Sequence, residues 1–169
     1  VENGVRSIEH GNLIDAGTAG VMAAHDAFLV PTLAAYDAMD RRGADLGLNA
    51  TSLAKNSQVL PHGQEAIELA HKAGVSVGFG SDLMGDLEDD QLCGVRLQVE
   101  ASGPLETLRS MTQRNAELLR DECLGHLRAG AYGDAVVLSA NPMEEPDALW
   151  EEDARVAVIQ AGRRVGSES

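Results

Sequence analysis

Short apolar runs alternate with longer periodic stretches along the chain. Val5–Glu9 is a β-prone run ending in His10-Gly11. Asp15 then stands where a helix N-cap belongs, ahead of the small-residue helix predicted over Ala16–His25. Phe28-Leu29-Val30 is continuously apolar and is stopped by Pro31-Thr32, the pattern of a strand buried on both faces in a parallel sheet. Ala38–Asn56 is polar and interrupted by glycine, which predicts a long loop with one helical turn. In Glu65–Ala73, Ile67 and Ala70 recur at helical spacing and Gly74 sits where a left-handed C-cap belongs. Val75–Gly80 (VSVGFG) reads as a third strand, followed by Ser81-Asp82 and an acidic stretch, Leu83–Asp90, expected to be a surface loop.

The second half changes character. Pro104, at the favoured first helical position, opens a helix with Leu105, Leu108 and Met111 on one stripe, and a second helix is expected over Arg114–Glu122. Beyond Gly125 the pattern turns to β: Ala135–Leu138, Val156–Gln160, and a turn at Ala161-Gly162 returning into Arg163–Val165. Asn141–Glu152 would connect the first two of these, with Trp150 as its anchor. The order strand, helix, strand, helix, strand, helix predicts an α/β fold of successive βα units on a parallel sheet, with the late hairpin as a separate β appendage.

Length sharpens this picture. A complete eight-stranded β/α barrel takes about 250 residues, whereas the chain has 169. Three βα units cannot close a barrel, and their flanks expose strand edges and an apolar inner face. The chain begins with Val rather than Met, in keeping with an upstream segment. It has neither the apolar run of roughly 20 residues that crosses a bilayer nor a signal-peptide pattern at its start, so a cytoplasmic location and no membrane partner are expected. Asp and Glu number 27 against 13 Lys and Arg, a net charge of −14, and aromatics are only 3%. Such a surface repels a phosphate backbone and offers few platforms for stacking bases, which excludes nucleic acid as the expected partner. Cys93 and Cys123 lack the spacing of a zinc knuckle or a redox pair and read as buried free thiols.

Two polar residues fall at the C-terminal ends of predicted strands, where β/α barrels and open α/β sheets place their sites: His10 and Asp82. Imidazole and carboxylate are ordinary zinc ligands, and a carboxylate beside metal-bound water can take its proton. A His at a strand end also serves as a hydrogen-bonding cap, and Ser-Asp after a strand is a common turn; two donors fall short of the three a site needs. His25, His62, His71 and His126 read as surface or packing residues. Gly78 and Gly80 give the third strand room for close backbone approach, without the following Lys of a phosphate loop.

Taken together, VRSIEHG (5–11), LVPTLAAYDAM (29–39), GVSVGFGSDLMG (74–85), NAELLRDECLGHL (115–127) and GAYGDAVVLSANP (130–142), followed by the hairpin 156–165, resemble metal-dependent amidohydrolases. The likeness is to the C-terminal part of an imidazolonepropionase-related or prolidase-like member, and it runs over nearly the whole chain. It implies the C-terminal part of a (β/α)8 TIM barrel, strands six to eight, over residues 1–128, and part of a small β subdomain over 129–169. It also implies a site with ligands from several strand ends: a His-x-His pair after the first strand, a carboxylated Lys after the fourth, His after the fifth and sixth, and an Asp proton shuttle after the eighth. By resemblance His10 corresponds to the sixth-strand His and Asp82 to the eighth-strand Asp, so Asp82 is both metal ligand and catalytic residue. The other ligands have no counterpart in this chain. Tyr36, just after the seventh-strand match, admits two readings: a phenol facing substrate, or a packed aromatic.

The expected cofactor is zinc or another divalent metal, binuclear in the complete enzyme. The expected reaction is hydrolysis of an amide-like C–N bond in a small-molecule substrate, with a dipeptide or N-acyl amino acid ahead of cyclic imides and esters. A different class of function stands beside it: a non-catalytic partial barrel that assembles as a homo-oligomer or pairs with the missing N-terminal part.

Overall fold

A computed structural model describes residues 1–166. The elements run β1 (Ser7–Glu9), α1 (Ala16–Ala24), β2 (Phe28–Val30), α2 (Leu33–Arg42), α3 (Ala50–Val59), α4 (His62–Ala73) and β3 (Ser76–Val77). After a 3-10 segment at Gly85–Asp90 come α5 (Gln91–Arg109), a π-helical turn (Ser110–Arg114) and α6 (Asn115–Leu119). The chain then forms β4 (Ala135–Leu138), β5 (Arg155–Gln160) and β6 (Arg163–Val165). β1, β2 and β3 make a parallel sheet in sequence order, with Glu9 opposite Val30 and Leu29 opposite Val77. β4, β5 and β6 make a separate antiparallel sheet.

Burial explains the parallel half. Leu29, Val77, Met22, Ile67 and Ala70 are within 1% of complete burial and join α1 and α4 to one side of the sheet. Asp15 caps α1 by accepting from the Thr18 amide at 2.7 Å, and Gly74 ends α4 at φ 82°, as their positions predict.

Several expectations are corrected. The predicted loop over Ala38–Asn56 holds the second half of α2 and most of α3. α2 forms because Leu33, Ala34, Ala35 and Ala38 are buried on one face. α3 lacks an apolar stripe, and only Asn56 on it is buried. Polar contacts hold it instead: Asn49 caps it by accepting from the Ser52 amide at 2.9 Å, and Asn56 Nδ2 donates to the Tyr36 carbonyl at 2.9 Å. Leu83–Asp90 lies at the surface, but from Gly85 it is 3-10 helix. Residues 91–102 are helical where no element was expected, and Gly103 at φ 77° breaks α5 just before Pro104, which opens the second part. The helix expected over Arg114–Glu122 is continuous with the π-turn and ends at Leu119, with Arg120 left-handed. Cys93 and Cys123 are free but only half-buried. In the β4–β5 connection Ala148, not the half-buried Trp150, is the buried anchor.

β3 is shorter than the predicted Val75–Gly80, and Pro31 supplies the reason. The Gly78 amide donates to Leu29 O at 2.8 Å, so the next ladder donor to β3 would be the amide of residue 31, which proline lacks. The Gly78 carbonyl accepts instead from the buried Gln98 amide at 3.1 Å. On the other edge of β3, Ser110 Oγ donates to Val77 O at 2.7 Å, and Asn115 pairs with both backbone groups of Phe79 at 2.9 and 3.0 Å. Side chains thus replace a neighbouring strand there. On β1, by contrast, the backbone groups of Ser7 and Glu9 face away from β2 and meet no protein partner among the described residues.

The antiparallel sheet carries a row of valines. Val136 lies opposite Val158, which lies opposite Val165, and Val156 is two residues along the same strand. Paired residues share a face and alternate residues return to it. All four are exposed, between 38% and 56%. No helix of the described residues is long and apolar enough to cross a membrane.

Candidate functional site

The site grows from the C-terminal ends of the parallel strands. β1 ends with the His10 amide donating to Val30 O at 3.0 Å, after which His10 and Gly11 both turn left-handed, at φ 66° and 62°. A Cβ on residue 11 would overlap Leu29 in the core, so glycine is required there on two counts. Past β3, Asp82 is also left-handed, at φ 51°. His and Asp are among the few non-glycine residues that enter this region with any frequency. The turns aim both side chains across the strand ends.

His10 Nε2 and Asp82 Oδ2 are 3.8 Å apart, with the two side chains 45% and 58% exposed. That is too long for a hydrogen bond. It suits two donors on one ion: at about 2.1 Å from a shared metal and angles of about 110–130°, ligands sit roughly 3.4–3.8 Å apart. A neutral imidazole nitrogen and a carboxylate oxygen are the donor types zinc takes, so these residues fit such an ion. Among the described residues no group of three or more His, Cys, Asp or Glu converges on one point, and the pair supplies only part of a coordination shell.

Two further residues complete the cluster. Thr32 Oγ1 is 2.6 Å from His10 Nδ1. The Tyr36 ring meets the His10 ring edge-on, with centroids 5.9 Å apart and planes at 89°. A groove of about 450 Å³ opens beside them, lined by His10, Gly11, Asn12, Leu13, Ile14 and Tyr36. Asn12 is buried, and its Oδ1 has no partner. Burial, and secondarily the Asp82 carboxylate, hold the Tyr36 phenol above its ordinary pKa. It therefore stays a neutral hydrogen-bond donor through the whole neutral range.

A prediction follows for the phenol. In an alkaline titration followed by phenolate absorbance, Tyr36 should ionise later than an ordinary tyrosine, whose pKa is about 10. The sign is fixed by the raised value: stability from this group is intact below the ordinary pKa and is lost as pH rises through the raised one. Asp82→Asn should bring the late titration back only in part, because burial remains the larger cause. An unchanged profile in Tyr36→Phe would show that Tyr36 is not the late group.

The three sequence-predicted residues, His10, Tyr36 and Asp82, thus lie in one cluster. Thr32, which ends the second strand, is a weaker candidate than Tyr36 in the sequence, and Asn115 is not foreseen as a contributor. Thr32 is legible as a polar residue ending a buried strand beside a His-bearing one; Asn115, which ties down Phe79 three residues before Asp82, carries no local signal. The remaining histidines lie elsewhere: His71 is half-buried, with Nε2 3.0 Å from Ser102 Oγ, and burial lowers its pKa.

The chain is similar to proteins of known family and structure. The model of the amidohydrolase family matches residues 1–165. A prolidase crystallised with N-methylphosphonate-L-proline is 43% identical, with a TM-score of 0.93, over 99% of this chain and 41% of its own. A second solved amidohydrolase is 39% identical, with a TM-score of 0.94, over 99% of this chain and 41% of its own. A Xaa-Pro dipeptidase with methionine bound in its active site is 25% identical, with a TM-score of 0.83, over 98% of this chain and 41% of its own. The chain therefore spans about two fifths of the length of these structures. No curated protein matches the chain.

Proposed function

The chain belongs to the amidohydrolase family, and from that premise we propose that it is the C-terminal part of a metal-dependent hydrolase cleaving an amide-like C–N bond. In this reading β1, β2 and β3 are strands six to eight of a (β/α)8 barrel, residues 1–128 are the barrel segment, and residues 129–169 belong to a small β subdomain. The substrate class we propose is a dipeptide or N-acyl amino acid, which the prolidase and dipeptidase likeness supports. The observation that carries the reading is the convergence of His10 Nε2 and Asp82 Oδ2 at 3.8 Å across the strand ends.

Bound divalent metal, zinc by this donor set and binuclear in the complete site, would lower the pKa of a water to about 7 and polarise the scissile carbonyl. His10 would hold it through Nε2 and Asp82 through Oδ2, with the remaining ligands coming from parts of the barrel outside this chain. Asp82 has the second task of taking the proton of the attacking water and passing it to the leaving nitrogen. Its exposure leaves it room to reach both positions. The neutral phenol of Tyr36 donates a hydrogen bond to the substrate, and the groove beside Leu13 and Ile14 receives an apolar group.

Zinc titration by calorimetry tests the reading. The 169-residue chain should take up one ion weakly, because two ligands leave half or more of the coordination shell to water. His10→Ala and Asp82→Asn should each weaken uptake by at least about tenfold, the scale on which even indirect ligand supports act. Equal uptake by wild type and His10→Ala would overturn it. The open side of β1 and the exposed valine face favour a second reading, a non-catalytic assembly partner; tight uptake accompanied by hydrolysis would exclude that one.

A further inference from the structure

We propose that Thr32 is a positioning residue for His10, selecting the imidazole tautomer that leaves Nε2 free as a ligand; this rests on the reading of His10 as a metal-holding residue. Thr32 occupies the N-cap of α2, yet its side chain makes no capping bond. The other N-caps of this kind behave differently: Asp15 accepts from the Thr18 amide at 2.7 Å and Asn49 from the Ser52 amide at 2.9 Å. A threonine at an N-cap ordinarily satisfies a free amide of the first helical turn. Here the hydroxyl is turned away from its helix and onto His10 Nδ1, at 2.6 Å. A locally forgone cap beside a candidate site is the kind of departure that function accounts for.

The backbone leaves little freedom in this contact. Val30 pairs with Glu9 and accepts from the His10 amide, and Thr32 follows two residues later. Thr32 is only 4% exposed, so its hydroxyl has little access to water, and the edge-on Tyr36 ring restrains the imidazole from another side.

The direction of the hydrogen bond decides the chemistry. A hydroxyl can donate to Nδ1 or accept from it. If it donated, the ring proton would sit on Nε2 and face Asp82 Oδ2 at 3.8 Å, beyond hydrogen-bond reach. If it accepts, Nδ1–H is bonded to Oγ1 and the Nε2 lone pair faces the carboxylate across a gap fit for a cation. Ligating histidines are oriented in just this manner, by a partner on the other ring nitrogen.

The experiment is two-bond 1H–15N correlation of the His10 ring in the metal-free 169-residue chain, at about pH 8.5, where an ordinary imidazole is neutral. His10→Gln identifies the signals. Wild type and Thr32→Ser should show the Nδ1–H form, and Thr32→Val should shift to the Nε2–H form that an unrestrained imidazole prefers in water. Thr32→Val should lower the unfolding midpoint only by the loss of the one bond to His10 Nδ1, since no capping bond is lost; Thr32→Ala removes the same hydroxyl should the valine disturb packing. Zinc affinity should fall about 10–100-fold in the variants without the hydroxyl and be retained in Thr32→Ser. An Nε2–H form in wild type, an Nδ1–H form persisting without the hydroxyl, or failure of Thr32→Ser to keep it would overturn the assignment. Should none of the chains take up zinc while the tautomer pattern holds, the metal reading fails and the role of Thr32 stands.

Discussion

Asp82→Asn is expected to cut turnover by about 10²–10⁴-fold, the usual contribution of a positioned acid–base group, in an enzyme whose barrel is completed by the parts its relatives carry. Asparagine keeps the shape and the carbonyl oxygen of aspartate but cannot take up a proton at that oxygen. Backbone conformation makes it the informative substitution. Residue 82 sits at φ 51°, and asparagine is among the residues that tolerate this region, whereas alanine there would mix strain with chemistry. The fold around it depends on contacts that the substitution does not touch, above all Asn115 holding both backbone groups of Phe79. Metal content should also fall, since a neutral amide oxygen is the poorer donor to a dication. The check is hydrolysis of a Xaa-Pro dipeptide and of an N-acyl amino acid, with metal content measured on the same samples. A variant that is fully metallated and active contradicts both roles given to Asp82.

How much of this was legible beforehand depended on what held each element. β2, α1 and the cap of α4 were readable because burial and capping leave local marks: three consecutive apolar residues, Asp15 before a helix, Gly74 after one. α3 was not, because its only buried residue is Asn56 and its attachment runs through hydrogen bonds to α2. Helical periodicity of apolar residues is the signal that reading relies on, and a helix held by polar contacts does not produce it. The first part of α5 shows the related case, since its buried positions include Gly94 and Gln98 beside Val95. Gln98 is buried to serve the Gly78 carbonyl that Pro31 leaves without a partner, a three-residue arrangement spread over 68 positions that only the fold brings together. In the candidate site His10 and Asp82 were readable as polar residues at the ends of predicted strands, because β/α barrels and open α/β sheets place their sites at that end. Thr32 was harder to weigh. Its position advertises a helix cap, and only the absence of the capping bond reveals its other use.

By itself the 169-residue chain is expected to self-associate or to be marginally stable at micromolar concentration. The free side of β1 presents the backbone groups of Ser7 and Glu9, and an open parallel edge of this kind is a template for pairing with another chain. The corresponding side of β3 is not equivalent, since Ser110 and Asn115 already occupy Val77 and Phe79. Association through the parallel sheet should therefore use β1. The second surface is the face formed by Val136, Val156, Val158 and Val165, an apolar patch on a three-stranded sheet that isolated would be near the limit of independent stability. Backbone groups buried without partners cost about 1–3 kcal/mol each, against a net stability of about 5–15 kcal/mol for a domain. Opposing association is the charge of −14, which salt screens over about 10 Å at 0.1 M ionic strength, so association should strengthen as salt is added. Val158→Lys, on the central strand of the valine face, should reduce the sedimenting mass if that face is the contact, and should leave it unchanged if β1 alone is. Sedimentation velocity across a salt series, paired with thermal unfolding, reads these outcomes directly. A monodisperse monomer with one cooperative transition at about 45–65 °C, the range of ordinary mesophilic domains, would mean that Ser7, Glu9 and the valine face are satisfied within a single chain. The expectation that the open side of β1 and the valine face need a neighbouring chain would fall with it.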